Sequence, residues 1–549
     1  MTGSGIKVSN NLAQGRAYAK DCVDVNSLRC GIMGKRRAGN PAGAEGPQSL
    51  RVRMAPDPVT KALICFALKG LAAHPVPCKS LPMTQTVAVP LWLLLLILGF
   101  ALITFLSHFL FPSVRWFFRR RMERVVARLN ARLERPLEPF KLMARQDMIV
   151  RLSYDPKVME AVVEHAKATG IPESVAFQEA RSYAREIVPS FSATVYFGVA
   201  IRAAHWLSRM FYTVRLGRVD GEIAKIDRSA TVVFVMNHRS NMDYVLVTWL
   251  VAERSAISYA VGEWARVWPL SGLIRATGAY FIRRNSRSNL YRRVLARYVQ
   301  MASAEGATQA IFPEGGLSLD GRVGTARLGL LGYLVSGYEA DPVRDVVFVP
   351  VGLAYDRVIE DRLLVEAGQT GVRRFRARPL SILGFIVRTA WRKARGRFPG
   401  FGSAAVAFGP PLSLQALRSE LPGLPPEALT EVLGERLMAR VTQSVPILPV
   451  PLVAAALTDG PVPRAVLADR IGQMIAALTE LGASLNLPDG GAAGTMSEGL
   501  RVLIARDIVQ DSGGALRPVP EKAALLAFYA GSILQVLRPA VANAAAPQT

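Results

Sequence analysis

The apolar positions change spacing several times along the chain, and each spacing predicts a different element. From Val87 to Phe111 the sequence runs for 25 residues without a charge and is apolar on every side. At 1.5 Å per residue, a helix of that length crosses the roughly 30 Å hydrocarbon layer of a bilayer. Arg115, Arg119, Arg120 and Arg121 follow it, and Trp92 and Trp116 stand where the two interfaces would fall. Basic residues beside a span mark its cytoplasmic side, so everything after Arg119 is expected there. The run is too long for a signal peptide and no small-residue cleavage site follows it, which favours a permanent anchor.

Residues 122–229 have helical spacing, as in Pro156–Ala168 after Asp155 and Glu173–Ile187 after Pro172. The texture changes at Thr231–Val235, which is short, β-branched and bounded by polar residues, the signature of a buried strand. Similar strands are expected at Ile257–Ala260, Ala279–Ile282, Gln309–Phe312 and Val346–Val351, with helices at Tyr244–Val251 and Leu290–Met301 between them. Strands alternating with helices predict an α/β class, a mixed sheet with flanking helices, here preceded by one transmembrane helix and a helical region. Past Pro410-Pro411 the chain turns rich in Ala, Leu and Glu and predicts a mostly helical region closing on Leu525–Leu537. The expected organisation is an extension over 1–82, an anchor with its basic flank over 83–121, a helical region over 122–229, an α/β domain over 230–411 and a helical C-terminal region over 412–549.

Composition changes this picture in two places. All four cysteines (Cys22, Cys30, Cys65 and Cys78) and half of the lysines lie in the first 82 residues. That abrupt shift points to a disordered extension or to an upstream translation start, with Met83 as the true one. No Cys-x-x-Cys pair occurs, and no metal site is expected. The net charge of +25 on 549 residues suggests phosphate, nucleic acid or an anionic membrane as partner. Counting gives 55 arginines against 12 lysines, a bias that genomic base composition also produces. No aromatic-basic platform supports nucleic acid, and none is expected as partner. Basic residues from Arg373 to Arg397 surround the apolar run Leu380–Val387, and two readings stay open, docking on anionic lipid and a solvated basic edge.

The candidate chemistry starts where the first strand delivers Met236-Asn237-His238 to its carboxyl end, the usual place for ligands in open α/β sheets. Asp243 follows five positions later. On a continuous helix five residues turn through about 500°, so the two side chains meet only if the run is a turn entering a helix. In such a turn the carboxylate accepts a proton from one imidazole nitrogen and leaves the other as a base for an alcohol.

Four ordered blocks surround this pair. They are Asn237-His238-Arg239-Ser240-Asn241-Met242-Asp243-Tyr244; Gly278-Ala279-Tyr280-Phe281-Ile282-Arg283-Arg284; Phe312-Pro313-Glu314-Gly315-Gly316 with Ser318, Gly321 and Arg322; and Val349-Pro350-Val351 continuing to Tyr355-Asp356-Arg357. In order, spacing and strand context they resemble the glycerolipid acyltransferase superfamily, most closely its glycerol-3-phosphate acyltransferase branch, from about Met143 to at least Pro411. The resemblance implies an acyltransferase-type α/β domain that moves a fatty acyl group from acyl-CoA or acyl carrier protein to the sn-1 hydroxyl of glycerol 3-phosphate in phospholipid synthesis. The thioester is a co-substrate, and no resident cofactor is implied. His238 is then the general base and Asp243 its orienter. Arg283, Glu314 and Gly315 are implied to help bind the phosphorylated acceptor, with Arg239, Ser240, Arg284, Gly316, Arg322 and Pro350 as further substrate-binding candidates. With the span, it implies a single-pass protein of a bacterial inner membrane, in contact with the lipid bilayer, with its catalytic domain in the cytoplasm.

One departure matters. Where that branch carries Gly-x-Arg-Ser-Arg, this chain has Leu317-Ser318-Leu319. Two expected phosphate partners are missing, and each charge-assisted hydrogen bond contributes about 1.5–3 kcal/mol. Arg322 or Arg327 could compensate. Alternatively the acceptor is larger, a lysophosphatidate or other lysolipid whose chain meets the leucines. A catalytically silent membrane scaffold is the third reading, and the intact His238 and Asp243 speak against it.

Overall fold

A computed structural model describes residues 90–544, apart from 132, 134, 252–255, 263–269, 284–285, 373–378 and 399. The proposed extension and possible start at Met83 lie outside the described residues, as do Arg284 and part of the basic run after Arg373. Residues 100–549 cluster as one compact unit, separate from the unit before them.

The first helix, α1 (Leu91–Asn130), contains most of the expected span. Among the described residues no helix is long and apolar enough to cross a membrane, so the transmembrane helix expected over Val87–Phe111 is not found. The apolar run is not a separately bounded element. It is the first half of a 40-residue helix that continues without a break into the arginines after Arg115. Its described apolar side chains are exposed, Leu91 and Phe100 at 72% and 70%.

Beyond it come α2 (Pro156–Thr169) and α3 (Glu173–Ile187), within one residue of their expected bounds. Asp155 caps α2 by accepting the Lys157 N–H, Pro156 opens it, and Gly170 closes it in the left-handed region at φ +69°. The main sheet is built from β1 (Thr213–Val219), β2 (Thr231–Met236), β3 (Ser258–Val261), β4 (Tyr280–Phe281), β5 (Gln309–Ile311), β6 (Val346–Tyr355), β7 (Ser403–Phe408) and β8 (Leu412–Ser413). Its order is β1-β7-β6-β2-β5-β3-β4, with β8 on β6. All pairs are parallel except β6 with β7 and with β8. The sheet is therefore mixed and rich in parallel pairs, as expected. The expected strands became β2 to β6, whereas β1 and β7 were not anticipated.

Alternate side chains of β2 enter two cores. Val232, Phe234 and Met236 face one, and Val233 and Val235 face the other. The second core takes in α2, α3 and α5 (Asn289–Ala304), while α4 (Met242–Val251) contributes to the first. Strands β2 to β7 are buried on both faces, which explains their unbroken apolar runs. After β6 come α6 (Asp361–Thr370), α7 (Pro379–Ala394) and α8 (Pro426–Ser444), and then α9 (Pro449–Ala456), α10 (Gly491–Ile504) and α11 (Ala523–Ala544). Residues of α9, α10 and α11 share the first core with β2 and β6. The C-terminal region thus contributes to both cores, with Leu429, Leu433 and Leu437 of α8 in the second and α9, α10 and α11 in the first.

Candidate active site

The parallel strand β2 sits between β5 and β6 and ends at Met236. Asn237 fixes the exit, donating to the Leu353 carbonyl at 3.0 Å and accepting the Leu353 N–H at 2.8 Å. The chain then turns, and α4 begins at Met242. This turn brings His238 Nδ1 to 2.9 Å from Asp243 Oδ2. The same oxygen accepts the N–H groups of Arg239 and Ser240 at 2.7 and 3.0 Å, and Oδ1 accepts the hydroxyl of Tyr355 at 2.7 Å. Four donors on a fully buried carboxylate supply the polar partners that burial would otherwise leave unmet. With Nδ1 engaged by the carboxylate, Nε2 is left as the nitrogen able to take a proton.

The His238 ring is 1% exposed and held on two sides. Phe312 stacks on it at 4.2 Å between centroids, and Tyr244 meets it edge-on at 5.5 Å. Its backbone is held as firmly. The His238 N–H donates to Glu314 Oε1 at 3.0 Å, and its carbonyl accepts the Ser318 N–H at 2.9 Å. The first and third blocks are thus joined through the His238 backbone, once to a side chain and once to the main chain.

Glu314 lines a cavity of 1170 Å³, together with Gly316, Leu317, Ser318, Leu319, Arg322 and Arg327. Gly315 has φ +68° and lies against the Arg327 side chain, where any Cβ would collide. Burial pushes the Glu314 carboxyl up to about 7, opposed by the amides of His238 and Gly324. The folded protein then keeps this carboxyl protonated at pH values where the unfolded chain ionises it. Stability from this group is present below pH 4.5 and lost as pH rises towards 7, at most about 3 kcal/mol. Glu314→Gln keeps one acceptor and removes the titration. In urea unfolding across this window, the variant is expected to lose less stability than the wild type as pH rises. Parallel curves would show that Glu314 ionises normally.

The other site residues divide. Arg322 and Arg327 are exposed in the cavity. Arg239 is 1% exposed and points elsewhere, donating to the Gly321 carbonyl with its guanidinium 5.6 Å from the Phe528 ring centre. Ser240 is buried with its hydroxyl donating to Glu360 at 2.7 Å. Arg283 forms a bidentate pair with Glu186 at 2.9 and 2.6 Å between the rings of Tyr183 and Tyr291. Pro350 lies within β6 opposite Val235 and accepts the Gly409 N–H. Of the sequence-predicted residues, Glu314, Gly316 and Arg322 line the cavity, and His238 is tied to Glu314 by its backbone N–H. His238, Asp243, Gly315, Arg239, Ser240, Arg283 and Pro350 are not among the lining residues, and Arg284 lies outside the described residues.

Two contributors were missed. Tyr355 was seen only as part of a block, without its bond to Asp243. Glu360, which burial pushes above the usual carboxylate range, also accepts the amide and side chain of Asn241 at 3.3 and 3.0 Å. Nothing local to Glu360 in sequence marks it, because its partners lie about 120 residues upstream.

Residues 219–354 match the family described as acyltransferase, and residues 387–547 match the one described as glycerol-3-phosphate acyltransferase C-terminal region. Among curated relatives, the glycerol-3-phosphate acyltransferase of Ectopseudomonas mendocina is 27% identical over 421 residues, covering 71% of this chain and 49% of that protein. The glycerol-3-phosphate acyltransferase of Xanthomonas campestris is 27% identical over 374 residues, covering 65% of this chain and 41% of that protein. A solved 1-acyl-sn-glycerophosphate (LPA) acyltransferase from Thermotoga maritima aligns with 54% of this chain and 98% of its own at 18% identity, but with a TM-score of 0.25 the likeness bears no weight. The turn that joins His238 to Asp243 falls within the stretch similar to the acyltransferase family. The C-terminal stretch and these curated relatives point to the same likeness, to glycerol-3-phosphate acyltransferases. It spans about half the length, or less, of these curated relatives.

Proposed function

We propose that this protein transfers a fatty acyl group from an acyl thioester, acyl-CoA or acyl carrier protein, to the sn-1 hydroxyl of glycerol 3-phosphate. The observation that carries the reading is the buried His238–Asp243 pair, held at the carboxyl end of a central strand and tied through Glu314 to a cavity containing Arg322 and Arg327. In this mechanism Nε2 of His238 takes the proton of the acceptor hydroxyl as its oxygen attacks the thioester carbon. The tetrahedral intermediate collapses with cleavage of the C–S bond, and the imidazolium returns the proton to the leaving thiolate. The carboxylate of Asp243 holds the ring in one tautomer and stabilises the imidazolium. Arg322 and Arg327 are the guanidinium groups suited to the acceptor phosphate in place of the missing arginines.

A lysolipid acceptor is the second reading, favoured by Leu317 and Leu319 on the cavity wall. A lipid surface fits both. Leu91–Phe105 in α1 offers exposed apolar side chains, and α7 exposes Leu383, Val387 and Trp391 beside Arg388 and Arg392. The test is incubation with radiolabelled palmitoyl-CoA or palmitoyl-acyl carrier protein and, in parallel, glycerol 3-phosphate or lysophosphatidate. Labelled lysophosphatidate from glycerol 3-phosphate is the expected product. Transfer to lysophosphatidate alone would select the second reading, and no transfer to either would reject both.

A further inference from the structure

The cavity beside Glu314 is far larger than a three-carbon phosphate needs. Its 1170 Å³ lies just above the roughly 300–1,000 Å³ usual for sites that enclose small ligands. Leu317, Leu319 and Val365 form one apolar side, and α11 forms another. Ala524, Ala527, Gly531 and Leu534 of α11 line the cavity at spacings of three and four residues, so they share one helical face. The opposite face carries Leu526, Tyr529, Ala530 and Ile533 into the core and fixes the helix.

This wall is also fastened to both loops that follow β5 and β6. Gln535 accepts the Val323 N–H at 2.8 Å and donates to the Val323 carbonyl at 2.9 Å. The Tyr529 hydroxyl donates to Asp361, which pairs with Arg506 at 2.6 Å. A wall of small side chains held this firmly is a fixed surface, and its depth depends on the side chains it lacks.

We propose that the apolar part of this cavity holds a fatty acyl chain, and that α11 sets the length of chain accepted through the small, exposed side chain of Ala527. The inference rests on the acyl-transfer reading above. The chain belongs either to the donor or to a lysolipid acceptor, and the chemistry that recognises it is the same.

Binding of n-alkyl phosphates from hexyl to octadecyl measures the pocket without requiring turnover. Affinity of the wild type is expected to rise by up to about fourfold per added methylene until the pocket is full. Ala527→Trp fills the centre of the wall, so the rise is expected to stop at a shorter chain. Octadecyl phosphate should then bind on the order of tenfold more weakly or worse while hexyl phosphate is unaffected. Ala524→Leu adds less bulk on the same face and should shift the limit by less. Folded variants, judged by a cooperative melt, that keep the wild-type dependence on chain length would overturn the proposal.

Transfer assays then separate the two sources. An acyl-CoA series with glycerol 3-phosphate reports on the donor chain, and a lysophosphatidate series with a short donor reports on the acceptor chain. The series whose profile Ala527→Trp shifts identifies the occupant. A wild type that binds alkyl phosphates by chain length but transfers nothing would refute acyl transfer and leave the pocket standing.

Discussion

His238→Ala is expected to lower kcat/KM for acyl transfer by about a thousandfold or more while the protein stays folded. General-base assistance by a placed side chain contributes roughly 10²–10⁴ in rate, and nothing else described in the site is positioned to replace this imidazole. The strand and helix that carry the turn are secured independently of the ring. Asn237 grips Leu353, Asp243 keeps the amides of Arg239 and Ser240, and Tyr355 still donates to the carboxylate. The variant should therefore melt cooperatively, with a loss confined to the bond to Asp243 and the contacts with Phe312 and Tyr244. Asp243→Asn should also be folded and slow, by about 10²–10⁴, because a neutral amide stabilises the imidazolium less than a carboxylate does. Steady-state kinetics with purified variants decide the matter. Activity near wild type in His238→Ala would rule out the mechanism.

Gly321→Ala is expected to produce the largest structural loss, about 3 kcal/mol or more in urea unfolding. Gly321 has φ +78°, a conformation that costs a Cβ-bearing residue about 1 kcal/mol or more. An added Cβ would also overlap the backbone carbonyl of Phe528, which no rotamer change can relieve. Gly531 meets the backbone of Asp320 just as closely from the other side, so loop and helix are pressed together at both points. Separating them would strip the Gly321 carbonyl from Arg239, whose Nε already has no hydrogen-bond partner among the described residues. It would also open the cavity wall, so transfer should fall along with stability. Wild-type stability in Gly321→Ala would mean that α11 is not seated on this loop.

Much of this molecule could be read locally. The helix Glu173–Ile187 and the strands β2, β3, β5 and β6 follow from apolar spacing because each buries a patterned surface. The strands β1 and β7 escaped notice for a physical reason. Thr213–Val219 alternates weakly and is partly exposed, and Ser403–Phe408 is half alanine, so neither carries a strong β signal. The expected span is not found among the described residues, where the apolar window is the first part of a helix that runs on into a set of arginines.

The meeting of His238 with Asp243 was legible locally, because a strand, a turn and a helix of adjacent residues suffice to bring them together. Block order and spacing were enough to indicate the family. Only the tertiary structure decided which of the other candidates share the site. Arg283 is taken by Glu186, Arg239 and Ser240 are turned inward, and a helix more than 200 residues beyond Arg322 supplies part of the cavity wall. Such pairings depend on which distant surfaces bury each other, and no local periodicity encodes them.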